Sequence, residues 1–337
     1  MPVGYGSHTA RIIDRDGAVV ANASVLLEVE WNRVLDDIST ARILVQPDGD
    51  CCGQMARVRA WRHKLMIYRN ASPCWEGPIV SPEWRTDGTV EIQAMDVLAW
   101  LDRRVPHQSI RFTGEELASV AGWLIEDGFL PDDPGHTVEV IGPTRVRGDR
   151  QYVKDVGQTG DHLRDLAATG LDFTAVGSRI LLLPEDHCGR VGSLSDTDFP
   201  DGLVIVEDGH ALATRWVVHG SEGVAGEAGG VDPYYGLLEQ YVEETSILDE
   251  TSATMAAQSK LRASLPAPVF IDSQETTLAP EAAVDVPSLV PGWCVDVTTT
   301  ATCRNISQSL KILGVKVTED GDGEQVKVQL TPAGLGG

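Results

Sequence analysis

The sequence predicts an α+β chain that is mainly β, built as two β-barrel blocks, each with one flanking helix, and a small α/β unit inserted between them. Three observations carry this. Apolar residues alternate with polar ones at both ends of the chain, as in Val90, Ile92 and Ala94 near the start and Val326, Val328 and Leu330 at the finish. Between them the period becomes helical, with Leu117, Val120, Ala121 and Leu124 at i, i+3, i+4 and i+7. The last third then repeats the ingredients of the first: strands, one helix, more strands. With 337 residues the chain is long for one core, and the expected boundaries are 1–105, 106–200 and 201–337.

In the first block, residues 1–10 are expected to be disordered or docked on a neighbour. Arg11–Ile13 and Val19-Val20 flank the turn Asp14-Arg15-Asp16-Gly17 and read as a hairpin. Ser24–Trp31 alternates, Asp36-Asp37 breaks it, and Ala41–Gln46 resumes as a strand. Pro47-Asp48-Gly49-Asp50 caps a short helix over 51–58. Lys64–Arg69, Trp75–Ser81 and Thr89–Met95 follow as strands, with Gly77-Pro78 as a bend or edge position. Asp96 stands as the N-cap of a helix through Leu101.

The middle unit opens with a capping box, Thr113-Gly114-Glu115-Glu116, ahead of a helix that stops at Asp127-Gly128. A strand at Thr137–Ile141 and a helix over Asp161–Thr169, ended by Gly170, come next. Leu171–Val176 and Arg179–Leu183 form a hairpin on the two-residue turn Gly177-Ser178. In the last block, Leu203–Val206 and Thr214–His219 are strands. The glycine-rich, acidic run over 220–232 reads as a mobile loop, since it lacks the Lys-Ser/Thr and the helix start of a phosphate cradle. Tyr234–Val242 is amphipathic, and a flanking helix is expected over 249–265, with Ala253, Ala257 and Leu261 at i+4 steps before Pro266. Val269–Asp272, Trp293–Thr298 and Thr302–Ser307 are strands, and a closing hairpin turns at Asp320-Gly321-Asp322-Gly323.

Particular residues go beyond pattern. Tyr68-Arg69, Trp75-x-Gly77, Ala94-x-Asp96 and Arg103-Arg104 fall in the order of the first barrel of the tail-hub (minor tail) proteins of long non-contractile-tailed phages, especially those of actinobacteria, which the chain resembles. Tyr235-Gly236-Leu237-Leu238-Glu239, Ile247-x-Asp249, Ala256-Ala257 with Leu261, and Pro291-Gly292-Trp293 with Val297 are similar to the second barrel of that family. The resemblance covers most of residues 10–331 and rests on the order of its pieces rather than on any one of them. It implies tail-tube-like barrels, a baseplate-hub-like fold and no enzymatic activity. It further implies a homotrimer whose six barrels form a pseudo-sixfold ring at the distal end of the virion tail, made in the host cytoplasm. Its partners would be the distal tail protein, the C-terminus of the tape-measure protein and downstream tip or fibre proteins, with DNA only in transit and no insertion into membrane.

The net charge of −23 opposes stable nucleic-acid binding, which needs cations against phosphates. Residues 1–105 are close to charge balance, so the acidic excess lies beyond them. It reads as a solubility device or as the wall of a channel along which DNA slides. Apolar runs are too short to cross a bilayer, and the N-terminus lacks a signal pattern. Six cysteines, Cys51, Cys52, Cys74, Cys188, Cys294 and Cys303, form no C-x-x-C and fit a reducing cytoplasm. A hairpin at Thr298-Thr299 would let Cys294 face Cys303, and the sequence leaves that pairing open.

Candidate chemistry is thin, and no catalytic, cofactor-binding or metal residue is assigned. Asp320-Gly321-Asp322-Gly323-Glu324 offers carboxylates to calcium but lacks the twelve-residue loop, and a hairpin tip accounts for it. His187-Cys188 and Cys51-Cys52 lack a second pair at zinc spacing. No G-x-S-x-G, H-E-x-x-H or Walker loop is present, and the fifty carboxylates defeat any choice of a glycosidase pair. Trp61, Trp75, Trp84, Trp100, Trp123, Trp216 and Trp293 fall where core or interface packing is the default, although they could stack on sugars. The sequence reaches Gly337 soon after the closing hairpin, so no wall-degrading domain is expected there. Two other classes stay as alternatives to the hub: a cell-wall-degrading enzyme of the tail tip, and a carbohydrate-binding receptor module.

Overall fold

The computed structural model describes residues 6–23, 25–47, 49–144, 146–207, 209–210, 212–244, 249–264, 269–272, 275–301 and 303–333. The first half of the expected N-terminal arm, Ile247, and the last residue of the expected helix over 249–265 lie outside them.

Alternation in the first block becomes burial. The strands are β1 (His8–Ile13), β2 (Val19–Ala23), β3 (Leu26–Val34), β4 (Thr40–Val45), β5 (Lys64–Arg69), β6 (Ser72–Trp84) and β7 (Val90–Met95), with helix α1 (Gly49–Met55) after β4. They pair antiparallel in the order β3-β4-β7-β6-β5-β1-β2. Val29 and Trp31, Ala41 and Ile43, and Ile92 and Ala94 point inward as the period requires. β6 is longer than expected because it changes partner at the Gly77-Pro78 bend. Pro78 still faces Lys64 of β5, and Ile79 already faces Ala94 of β7. A Cβ at Gly77 would sit 1.8 Å from the Met95 carbonyl oxygen, so no other residue fits there. Asp96 caps as predicted, accepting the Leu98 N–H at 2.9 Å and the Ser39 N–H at 2.8 Å, but the helix it starts, Val97–Arg103, is 3₁₀.

The middle of the chain gives β8 (Ile110–Glu116), α2 (Leu117–Phe129), β9 (Thr137–Val140), β10 (Arg147–Tyr152), α3 (Thr159–Ala167), β11 (Leu171–Val176), β12 (Arg179–Pro184) and β13 (Arg190–Ser195). The apolar face of α2 meets Phe173, Ile180 and Leu182 in one core. The expected capping box is not formed. Thr113–Glu116 are strand, paired with β10, and the Glu116 carboxylate accepts from Thr144 instead of the helix backbone. The pattern matched, but a nearby strand with unpaired backbone groups won those residues. The Gly177-Ser178 hairpin forms in the predicted register, and β9 joins it in parallel.

Residues 203–272 form a compact unit of their own, holding β14 (Val204–Glu207), β15 (Arg215–His219), β16 (Ala225–Gly229), β17 (Glu239–Glu243), α4 (Glu250–Ser264) and β18 (Val269–Asp272). Part of the glycine-rich run expected as a mobile loop is strand β16. Its glycines are there for packing: a Cβ on Gly226 would lie 2.2 Å from the Thr254 backbone nitrogen, so α4 rests directly on the strand. Ala253 and Ala257 are fully buried on that side.

The chain then returns to the larger unit through β19 (Thr276–Leu278), β20 (Cys294–Thr299), β21 (Ile306–Asp320) and β22 (Gly323–Pro332). The sequence reading kept 201–337 together, whereas the compact units separate 203–272 from 273–336. The cause is β21. The segment Thr302–Ser307 and the first arm of the closing hairpin, expected as separate strands, merge from Ile306 into one strand of 15 residues, inward at Leu310, Ile312, Val315 and Val317. Its first half pairs with β20 and its second half with β3, from Gly314 opposite Val34 to Glu319 opposite Val29. The closing strands and the first block therefore share a 12-stranded sheet whose main path is open, with β13 and β2 at its ends.

Candidate functional site

Most residues considered for chemistry are already engaged in structure, while Cys52 is a free, exposed thiol. Glu324 of the acidic tip points into the protein, where it pairs with Arg69, and Asp320 accepts the Asp322 N–H at 2.8 Å across the turn. Cys188 forms a disulfide with Cys294, with Cα atoms 5.0 Å apart, so Cys294 does not pair with Cys303, which is exposed. His187 packs edge-on to Trp293 at 5.1 Å. Among the described residues no three His, Cys, Asp or Glu side chains gather as metal ligands. Among them, too, no helix is long and apolar enough to cross a membrane. An open trough of about 470 Å³ on the sheet is lined by Asn32, Val34, Lys316, Lys327 and Gln329 with one carboxylate, Glu275, so it offers no acid–base pair.

The tryptophans are likewise spent on packing. Trp31 and Trp75 are buried, and Trp75 donates to the Asn32 carbonyl at 3.1 Å. Trp61 stacks edge-on to Trp100, Trp123 to Phe112, and Lys260 lies over Trp216. Trp84 is 50% exposed, yet its indole donates to the Met55 carbonyl at 3.2 Å.

What the sequence reading missed are two buried ionic clusters that tie the closing strands to the rest of the larger unit. In the first, Arg69 on β5 meets Glu324 on β22 through two parallel bonds of 2.7 Å, with both side chains almost fully buried. Burial pushes Glu324 upward, but the Arg69 fork outweighs it and holds the carboxyl below the ordinary glutamate value. Gly6 N–H also donates to Glu324, and His8, which accepts from the Trp31 indole at 3.3 Å, reaches Glu319 at 2.5 Å. Beside this, Arg33 is buried with no carboxylate partner among the described residues. It donates to the Cys74, Pro287 and Leu289 carbonyls, and burial lowers its pKa to about 10. In the second cluster, Lys311 on β21 bonds Asp172 on β11 and the Glu185 carbonyl. Burial and then the Asp172 charge push Asp36 up to about 7. The available signal was register: Arg33 and Arg69 occupy inward positions of strands whose other inward residues are apolar.

The surface of residues 203–272 is of another kind. Its fully buried apolar residues, among those described, are Ala213, Val218, Ala253 and Ala257, while Tyr234, Val231 and Met255 are 87%, 76% and 64% exposed. Large apolar side chains left this exposed set it apart from the closed core of the larger unit.

The fold has solved counterparts. The 43 kDa tail protein of prophage MuSo2 from Shewanella oneidensis superposes with a TM-score of 0.64 at 12% identity, covering 96% of this chain and 98% of that one. The tail protein from Neisseria meningitidis MC58 gives 0.61 at 12% identity over 98% of both chains. Prophage tail protein gp18 from Listeria monocytogenes gives 0.58 at 11% identity, over 95% of this chain and 94% of that one. No family model matches the chain, and no curated protein matches it in sequence. The expected likeness to phage tail proteins is borne out as a likeness of fold.

Proposed function

We propose that this chain is a structural protein of a phage tail: the hub at the distal end of a long non-contractile tail, in the virion. The observation that carries this is a shared fold over nearly the full length of the chain and of the Shewanella tail protein alike. Function on such a fold lies in surfaces rather than in a pocket, and the candidate chemistry here is consumed by packing. β1–β7 and the group β13 with β19–β22 supply two tube-like wall segments per chain, joined along β21. Three chains then supply six segments, which lets a threefold ring meet a hexameric tube. The distal tail protein, the end of the tape-measure protein and tip or fibre proteins dock on it, and DNA passes through a bore whose acidic wall does not hold phosphates. The protein acts mechanically, without an enzymatic step and without entering a membrane.

Mass photometry of the purified chain across a wide concentration range tests the ring. The expected result is a three-chain species that grows in with concentration. A chain that stays monomeric throughout overturns the ring.

A further inference from the structure

We propose that the turn at residues 231–238 is the contact by which one copy of this chain holds the next, and that it seats on the arginine- and tryptophan-bearing face around Trp61 of that second copy. This rests on the ring reading above and names the surfaces the ring would join.

The turn is built to stay put. Asp232 and Gly236 exchange backbone bonds of 2.8 and 2.9 Å, and the Asp232 carboxylate accepts both the Tyr234 and the Tyr235 N–H at 2.8 Å. Thr214 closes its base, donating to the Gly236 carbonyl at 3.1 Å and accepting the Leu238 N–H at 2.9 Å. Gly236 has a φ of +78°, which a glycine adopts without cost. With its backbone satisfied, the turn still presents Val231, Tyr234 and Leu237 to solvent. Tyr234 packs edge-on to Tyr235 at 4.8 Å, which limits the rotamers it would lose on binding. A rigid turn carrying exposed tyrosine and leucine is hot-spot chemistry, not loop chemistry.

Charge selects the occupant. Residues 203–272 contain Arg215, Lys260 and Arg262 as their only Lys or Arg, against a several-fold excess of carboxylates. Arg215 is held by Glu227 and Glu239, and Lys260 by Glu244 at 2.9 Å. Two such surfaces repel, so the contact is heterologous rather than turn to turn. Residues 1–105 are the part of the chain close to charge balance, and their exposed cations gather. Arg57 and Arg59 lie in one segment with Arg62, which pairs with Asp14 at 2.7 Å, and Arg103 stands 4.9 Å over the Trp61 ring. Arg59 gives its Nη1 hydrogens to the Ala56 and Val58 carbonyls of its own segment and keeps its charge toward solvent. Trp61, held at φ +62° and packed on Trp100, forms a partly exposed aromatic floor beside these cations. Tyr234 would pack against the exposed part of Trp61, with Asp232 and the carboxylate excess of its unit set against Arg57, Arg59 and Arg103 at the rim.

The test uses the full chain. Tyr234→Ala/Leu237→Ala and, separately, Arg59→Glu/Arg103→Glu are compared with the unaltered chain by mass photometry. Both pairs are surface changes, and melting curves check that folding is kept. A p-benzoylphenylalanine at position 234, in a mixture of ¹⁴N- and ¹⁵N-labelled chains, reports what it touches. The expected results are association weakened about tenfold or more in both pairs, and mixed-isotope cross-links to residues 57–62 or 100–104. Unchanged association in either pair, or cross-links elsewhere, overturns this contact and leaves the ring standing. An unaltered chain that is monomeric at every concentration overturns the ring and the contact together.

Discussion

The two units of this chain solve the same problem with different means. Residues 6–202 and 275–333 fill their interior with Trp31, Ile43, Phe129 and Phe173, all less than about 2% exposed, and lock it with buried ion pairs. Among its described residues, the unit at 203–272 fully buries only Ala213, Val218, Ala253 and Ala257 of its apolar side chains, has α4 pressed onto β16 by glycine, and leaves Val231, Tyr234 and Met255 largely exposed. A body of that second size buries a smaller share of its unfolded surface than a larger one and is correspondingly marginal. The disulfide fits this division: Cys188 and Cys294 both belong to the larger unit and close the chain on either side of the smaller one.

The sharpest way to break the comparison is to remove one half of a buried pair in the larger unit. Arg69→Ala leaves Glu324 charged and without its fork in a site from which water is excluded. It is expected to cost about 3–5 kcal/mol in urea denaturation. Arg69→Met with Glu324→Leu, which removes both charges, should recover most of that. If the single and double variants lose the same amount, packing rather than charge accounts for the loss. Hydrogen exchange of β15–β17 should not change in either variant.

The converse experiment addresses the smaller unit. Gly226→Ala drives a methyl group to 2.2 Å from the Thr254 nitrogen and 2.3 Å from the Ala253 carbonyl carbon, both backbone atoms of α4 that no rotamer change can move. A local loss of about 2–3 kcal/mol is expected, read as faster amide exchange in β15, β16 and α4. The unfolding midpoint of the larger unit should stay where it is. A single shared transition that falls as a whole would show that the units do not unfold separately.

Much of the larger unit was legible because one physical rule, a period of two, sets both pattern and burial. Val90, Ile92 and Ala94, the Asp96 cap and the Gly177-Ser178 turn are all local statements, and local statements are what a sequence makes. The pairing of β21 with β3 is not local. It joins residues about three hundred positions apart, and nothing in Val315 or Val317 says which strand lies beside them. Arg69 and Glu324 illustrate the same limit for the polar interior: each is ordinary on its own strand, and only the sheet order makes them partners. The glycine-rich run failed for a different reason. Glycine marks both loops and close backbone approach, and composition does not tell the two apart. As for a site, the sequence offered tryptophans and carboxylates in plenty. Whether such residues are exposed, as Tyr234 is, or consumed, as Glu324 is, depends on tertiary contacts that periodicity does not encode.

A finer division inside the larger unit separates its two ionic clusters, one that gains from charge and one that tolerates it poorly. Around Glu324 the charged form is favoured. Around Lys311, burial and the neighbouring Asp172 push Asp36 up to about 7, well above the ordinary value near 4. A carboxyl raised in this way binds protons in the folded state that the unfolded state has released. Its contribution therefore falls as pH climbs from about 4 through 7 and is level beyond. Asp36→Asn removes that dependence while keeping the oxygen that accepts the Phe173 N–H at 2.8 Å, and asparagine is at ease at the φ of +61° found there. The variant is expected to be more stable than the unaltered chain by about 1–2 kcal/mol at pH 8, a gain that fades toward pH 4. Denaturation at both pH values decides it. An equal gain at the two would assign the effect to backbone conformation, and a loss at pH 8 would mean that Lys311 needs both carboxylates charged. Only the fading gain leaves Asp36 as a burden that the folded state carries at neutral pH, in contrast to Glu324 on β22.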